Sequence, residues 1–486
     1  MGKSFFFYDL ETSGLSPKED RVMQFAGQRT DENLNLTGQP FNYLIKLTQD
    51  VLPDPQAILV TGITPQKTLK QGLSEAAFLS IFHEQIALPG TIFIGYNNIP
   101  FDDEFIRYLN YRNFYDAYEW HWRDNRGRWD LLNVIRMMRA LRPDGIKWPV
   151  SNDGKPLNSL ENLTAANGLE HVKAHDAHSD VTACIALARL VHRTQPRLFA
   201  YLLNFRDKRE IAQLVTGPEP FIYAGADQNE YDKTSVFVFL FELSGQGAAA
   251  LFDLRQNPLD FIELSAEELA GRWYGGQDYW TKPNPIRIIR YNRCPPVAPL
   301  KVLDETSRLR LNLDTDAITK HWHQLKECLP SWRPTLQEAL SLSDETNHKS
   351  DRGFAASVDT LLYENFFDDN DKKSFSAVRG TLPAELAIAK FDFTDRRLRR
   401  LLPLYKARNY PESLTEAEKR RWHDYCQRHL MQGGSFSRYA KFVIRLQSLA
   451  ETDKLSARDQ KLLTELDGWA RQLMPLDGLQ SAKLGQ

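Results

Sequence analysis

Bulky apolar residues fill Phe5-Phe6-Phe7-Tyr8 and then give way to Asp9-Leu10-Glu11, the pattern of a buried strand that ends in acids. Within the first 195 residues, Phe5 to Leu10, Val22 to Ala26 and Phe41 to Leu47 read as three short strands in hairpin-like succession. Thr91 to Tyr96 reads as a fourth strand that stops at Asn97-Asn98. Apolar residues at three- and four-residue spacing predict helices over Phe101 to Tyr111, Leu131 to Leu141 and Val181 to His192. In the last of these, Val181, Cys184, Ile185, Ala188 and Val191 share one face. The pattern changes near Gln195-Pro196. Beyond it, Thr234 to Leu243 and Ile286 to Tyr291 read as strands between turns, which predicts a small β-rich domain over 196–350. From Asp351 onward, and above all over Ser376 to Gln486, Leu, Ala, Glu, Lys and Arg at helical spacing predict a helical domain over 351–486.

Composition narrows the function classes. The chain has 486 residues, 42% of them hydrophobic, so several packed cores are expected. Its 61 Lys+Arg nearly balance 63 Asp+Glu, and any nucleic-acid surface must therefore be a local patch. Cys184, Cys294, Cys328 and Cys426 lie far apart, which excludes CxxC metal knuckles and favours reduced thiols. No apolar run approaches the roughly 18 residues that span a bilayer. A cytoplasmic protein with no membrane association is the reading.

Three acidic elements stand out. Asp9 and Glu11 lie two residues apart at a strand end, where period-two geometry turns both to one face and lets them share a cation. Asp102 falls in the first turn of the helix that Pro100 opens, where a carboxylate also simply complements the helix dipole. His175-Asp176-Ala177-His178-Ser179-Asp180 leads into the third helix, with Ser179 as a candidate N-cap. Each element alone has an ordinary structural explanation. A set of acids without Cys ligands favours a hard cation over zinc.

In the contexts DxE, NxxxFD and HxxxxD, these residues resemble the histidine branch of the four-carboxylate 3′→5′ exonuclease superfamily. The tyrosine branch is excluded, because its tyrosine position, four residues before the last acid, is Asp176 here. The stretches LVTGITPQ, GYNNIPFDDEF, WDLLNVIR, LRPDGIKWP and YKARNYP resemble the bacterial exodeoxyribonuclease I family. That resemblance implies an α/β exonuclease domain similar to the ribonuclease H-like fold (1–195), a small SH3-like β-rich domain (196–350) and an all-helical C-terminal domain (351–486), arranged in a C around the strand. It implies a monomer that processively degrades single-stranded DNA to 5′-mononucleotides in DNA repair. Asp9, Glu11, Asp102 and Asp180 would hold two Mg²⁺ ions, with Mn²⁺ able to substitute. Asp9 would bridge them, and His175 would deprotonate the attacking water. His178 is the competing base, and the HxxxxD spacing selects His175.

Between Tyr108 and Trp129, aromatic and basic residues interleave, as a single-strand groove requires. Arg112, Tyr115, Arg123 and Arg128 are the candidate DNA contacts, although many residues of this stretch are expected in the core. A second basic run, Arg396, Arg397, Arg399, Arg400, Lys406 and Arg408, reads equally as a DNA surface or a solvated face. The resemblance also implies docking onto the acidic, Phe-ending tail of single-stranded-DNA-binding protein. Arg308-Leu309-Arg310-Leu311 offers the needed cations and apolar residues, and Arg308 and Arg310 are the candidates, against an ordinary strand with outward arginines. Two rivals remain: an exoribonuclease of the same superfamily, and a non-catalytic single-strand-binding protein.

Overall fold

The computed structural model describes residues 4–171, 176–225, 231, 233–274, 284–350, 357–452 and 455–474. These fall into two compact units: Met1–Gly127 with His171–Thr182 and Ala356–Gln486, and Arg128–Glu170 with Ala183–Ala355.

The first unit is organised on β1 (Ser4–Thr12), β2 (Val22–Thr30), β3 (Leu36–Leu44) and β4 (Thr91–Gly95). β1 lies between β2, its antiparallel partner, and β4, its parallel partner. The third strand begins five residues earlier than its apolar pattern suggests, because much of β3 is exposed and polar. Alternation along β1 sends Phe6, Tyr8 and Leu10 into a core shared with Phe25, Phe78, Phe82 and Phe93. Phe5, Phe7, Asp9 and Glu11 fall on the other face. The expected helices occur at Asp102–Arg112, Leu131–Leu141 and Ala177–Thr194.

The C-terminal segment is helical, with Arg396–Asn409, Glu416–Met431, Arg438–Ala450 and Ala457–Leu473 as its longer helices. It shares two of its cores with the N-terminal segment. Phe442, Leu462, Leu463 and Leu466 pack with Met23, Leu47, Ile58 and Ile63 of the N-terminal segment. Phe375, Leu401 and Tyr405 pack with Tyr108, Tyr111 and Phe114. Trp469 Nε1 donates to the Val51 carbonyl at 3.2 Å, and Gln66 Nε2 donates to that of Glu465 at 2.7 Å.

A buried ion cluster sits in the same junction. Arg408 reaches Asp50 at 2.7 Å and Asp359 at 2.6 Å, and Arg21 reaches Asp359 at 3.0 Å. Burial alone would raise both acids. The two guanidinium groups outweigh it, bringing Asp50 down to about 2 and holding Asp359 well below the carboxylate range.

After the short strand β5 (Gly127–Asp130), the second unit carries a five-stranded antiparallel sheet. Its strands are β6 (Phe221–Tyr223), β7 (Ser235–Leu243), β8 (Ala248–Asp253), β9 (Ile286–Arg290) and β10 (Val297–Pro299), in the order β10-β6-β7-β8-β9. The unit is less purely β than its sequence suggests, since the long helix Thr315–Ser350 contributes Leu325, Trp332 and Leu336 to the core under Val236, Leu240 and Phe252. Cys184, Cys294, Cys328 and Cys426 are all free thiols, as their spacing implies. Among the described residues, no helix is long and apolar enough to cross a membrane.

Candidate active site

Three acids converge at the end of β1. Ligand oxygens of Asp9, Glu11 and Asp180 all lie within 4.8 Å of one another. The register of β1 against β2 shifts between Glu11 and Thr12, so regular pairing stops just past the two acids it positions. Asp180 arrives on the first turn of Ala177–Thr194. The cap of that helix is Asp176, whose carboxylate accepts from the Ser179 amide at 3.3 Å, and not Ser179 as the sequence suggested.

Asp102 comes from the opposite direction. It opens the helix after β4, is buried, and its Oδ1 accepts the Leu10 amide at 3.2 Å, which fixes it beside the Asp9–Glu11 segment. Its neighbour Asp103 accepts the Tyr8 hydroxyl, to which Asn98 Nδ2 also donates at 3.2 Å. Tyr8 thereby ties β1 to the helix bearing Asp102. Gly95 is needed here, since a Cβ on it would stand 2.5 Å from that of Asn98. Burial, reinforced by the charges of Asp102, Glu11 and Asp180, pushes Asp9 well above the usual carboxylate range.

One contact went unread in the sequence. His171 Nε2 lies 2.5 Å from Asp180 Oδ1, orienting that acid. The only signal was a histidine nine positions upstream, outside any motif spacing considered. His175, the expected base, lies outside the described residues. His178 is exposed, on the first turn of its helix.

The DNA and partner candidates separate. Arg112 is only 1% exposed and pairs with Glu75 at 2.9 Å, so it supports the fold and is corrected as a strand contact. Arg128 is also buried, its guanidinium donating to the Asn292 carbonyl at 2.8 Å. Tyr115 is sandwiched between the His83 ring, 4.1 Å away and parallel, and the Arg379 guanidinium, 3.8 Å from its centroid. Arg123 is exposed and paired with Glu119. In the second basic run, Arg397, Lys406 and Arg408 are buried and paired, while Arg396, Arg399 and Arg400 are exposed. Arg308 and Arg310 lie on the short helix Glu305–Arg310 and not on a strand. Arg308 pairs with Glu305, Arg310 donates to the Ala140 carbonyl, and Leu309 between them is 65% exposed.

Known proteins share this arrangement along its whole length. Residues 6–188 match the family model described as Exonuclease, 206–341 the Exonuclease I SH3-like domain and 356–473 the Exonuclease I C-terminal domain. Exodeoxyribonuclease I of Haemophilus influenzae is 36% identical over 472 residues, covering 95% of this chain and 97% of the relative. The chain belongs to the exonuclease I family. Exodeoxyribonuclease I of Escherichia coli is 37% identical over 428 residues, 86% of this chain and 88% of that one. Solved exonuclease I structures agree. The E. coli enzyme in complex with a dA16 oligonucleotide superposes with a TM-score of 0.89 at 35% identity, covering 97% of this chain and all (100%) of that one. The zinc-bound E. coli complex with single-stranded DNA gives 0.89 at 34% identity, with the same 97% and 100% coverage. A complex of exonuclease I with SSB-Ct gives 0.88 at 34%, again covering 97% and 100%.

Proposed function

We propose that this member of the exonuclease I family is a processive, divalent-metal-dependent 3′→5′ exonuclease that releases 5′-mononucleotides from single-stranded DNA. The observation that carries the reading is the convergence of Asp9, Glu11 and Asp180 within 4.8 Å, with Asp102 pinned beside them. Packed carboxylates of this kind need a cation, and an all-oxygen set suits Mg²⁺, with Mn²⁺ able to substitute. Asp9, Glu11 and Asp180 would hold two such ions together with Asp102. Such a pair supplies charge to hold the attacking and leaving oxygens of an in-line displacement.

The protein's own groups do the rest. Tyr8, Asn98 and Asp103 hold β1 against the helix of Asp102, keeping the acids in register before substrate arrives. His175 would take the proton from the water that attacks the terminal phosphodiester. The 3′ oxygen of the preceding nucleotide then leaves. His175→Ala is expected to slow turnover about a hundredfold, the lower end of a positioned base's contribution, and His178→Ala much less. Single-turnover rates measure both, and an exchange of the two effects overturns the assignment.

The division at residues 195 and 350 is supported by the separate matches to 6–188, 206–341 and 356–473. A monomer in the cytoplasm is the proposed state. Single-stranded-DNA-binding protein is the proposed partner, through its acidic tail. Arg308 and exposed Leu309 support docking at the Glu305–Arg310 helix.

A time course on strands labelled at either end tests the function. A 5′ label should remain on a ladder that shortens from the 3′ end, while a 3′ label should appear at once as mononucleotide. Duplex DNA and RNA of the same sequence should be degraded far more slowly. Equal rates on RNA would favour the exoribonuclease reading, and no products with Mg²⁺ present would favour a binding protein.

A further inference from the structure

We propose that His171 is a positioning residue of the cation site: by holding the Asp180 carboxylate in one orientation, it sets how tightly divalent metal is bound. The inference rests on the metal reading above and adds to it a residue that acts through one of the acids.

Each acid of the cluster reaches it by its own route. Asp9 and Glu11 are placed by β1, whose pairing with β2 runs through both. The Asp102 carboxylate is fixed by the Leu10 amide. Asp180 stands on a helix outside the sheet, and its amide donates to the Asp176 carbonyl at 3.0 Å. That bond fixes the backbone of Asp180 and leaves its carboxylate to be oriented. His171 Nε2, 2.5 Å from Asp180 Oδ1, is placed to orient it.

The contact is sheltered as well as short. The His171 side chain is 7% exposed and that of Asp180 16%, so water competes little for either partner, and an N–H donated to a carboxylate there is strong. Without it, the carboxylate could rotate, and the like charge of Asp9, which lies close enough to feel that of Asp180, would favour orientations turned away from the cluster. A cation would then have to freeze the carboxylate as it binds. Donors of this kind behind a metal-binding carboxylate are worth about 10- to 100-fold in metal affinity.

Titration of Mn²⁺ alone into the full chain, followed by the paramagnetic resonance of the free ion, measures this without catalysis. His171→Ala should weaken binding about 10- to 100-fold. His171→Gln, whose amide nitrogen reaches as far as Nε2, should stay within a few-fold of the unaltered protein. His171→Asn, which reaches only as far as Nδ1, should behave like His171→Ala. Because His171 acts through Asp180, adding His171→Ala to Asp180→Ala should cause little further loss. Unchanged Mn²⁺ affinity in His171→Ala overturns the proposal. So does a full additional loss in the double variant, or a Gln variant as weak as the Asn variant, since either would mean a merely structural role. Should His171→Ala fail to fold, the comparison of Gln with Asn decides. If the unaltered protein itself binds no Mn²⁺, the metal reading fails, an outcome distinct from equal binding by protein and variant.

Discussion

Replacing Asp9 with alanine is expected to slow nucleotide release by about three to four orders of magnitude while affinity for single-stranded DNA changes only a few-fold. Asp9 shares its surroundings with Glu11 and Asp180, and it feels the charge of Asp102 as well. Removing it takes away a carboxylate of the proposed cation site, and positively charged groups aimed at a transferring phosphoryl are worth several kcal/mol. Strand affinity rests instead on stacking and phosphate contacts spread over the protein. Quench-flow rates and equilibrium anisotropy separate the two, and near-normal turnover would sink the metal assignment. A companion result needs no activity. Asp9→Asn removes a like charge from the acid cluster, so without divalent cation it should melt above the unaltered protein. Added Mg²⁺ should raise the melting temperature of the unaltered protein and leave Asp9→Asn nearly unmoved, because binding stabilises only what it binds.

Arg408→Ala is expected to cost about 3–5 kcal/mol of stability, the usual result of stripping one partner from a buried ion cluster. Arg408 contacts Asp50 and Asp359, all three are buried, and Arg21 would be left as the guanidinium paired with the two acids. Replacing the set together, Arg408→Met with Asp50→Asn and Asp359→Asn, should recover much of the loss. The pH dependence has a definite sign. Asp50 is depressed from 3.8 to about 2, so its contribution is present above pH 3.8 and disappears as pH falls through 2. Asp359 is depressed too and adds in the same direction. In Arg408→Ala the acids lose their main counter-charge, and this acid-side loss should shrink or reverse. Urea titrations at pH 7 and pH 3 test it. An unchanged midpoint at neutral pH would show that the cluster contributes nothing.

The acids of the proposed site were legible because each sits where an apolar pattern ends, and a pattern's end is itself information. Asp9 and Glu11 follow the apolar run of β1, and Asp102 opens the helix that comes after Pro100. Arg112, Arg397 and Arg408 misled for a related reason. Arginine in a one-dimensional pattern looks like surface, and only the fold shows that Glu75, Asp395 and Asp50 meet them inside. β8 was invisible because Ala248-Ala249-Ala250 carries little strand propensity, though all three are fully buried. The helix Thr315–Ser350 was hidden by Pro330 and Pro334, which normally argue against a helix interior. The packing of the Tyr118 ring on that of Phe366 could not be read, because just over half the chain separates them and they meet only after folding.

The shared core of the N- and C-terminal segments has a consequence during synthesis. Met23, Leu47, Ile58 and Ile63 are made early and wait for Phe442, Leu462 and Leu466, while Asp50 waits for Arg408. A nascent chain lacks those partners until the helix Ala457–Leu473 has been made. Until then the apolar face of Met23, Leu47, Ile58 and Ile63 is uncovered, so a chain cut before that helix should be prone to aggregation and proteolysis.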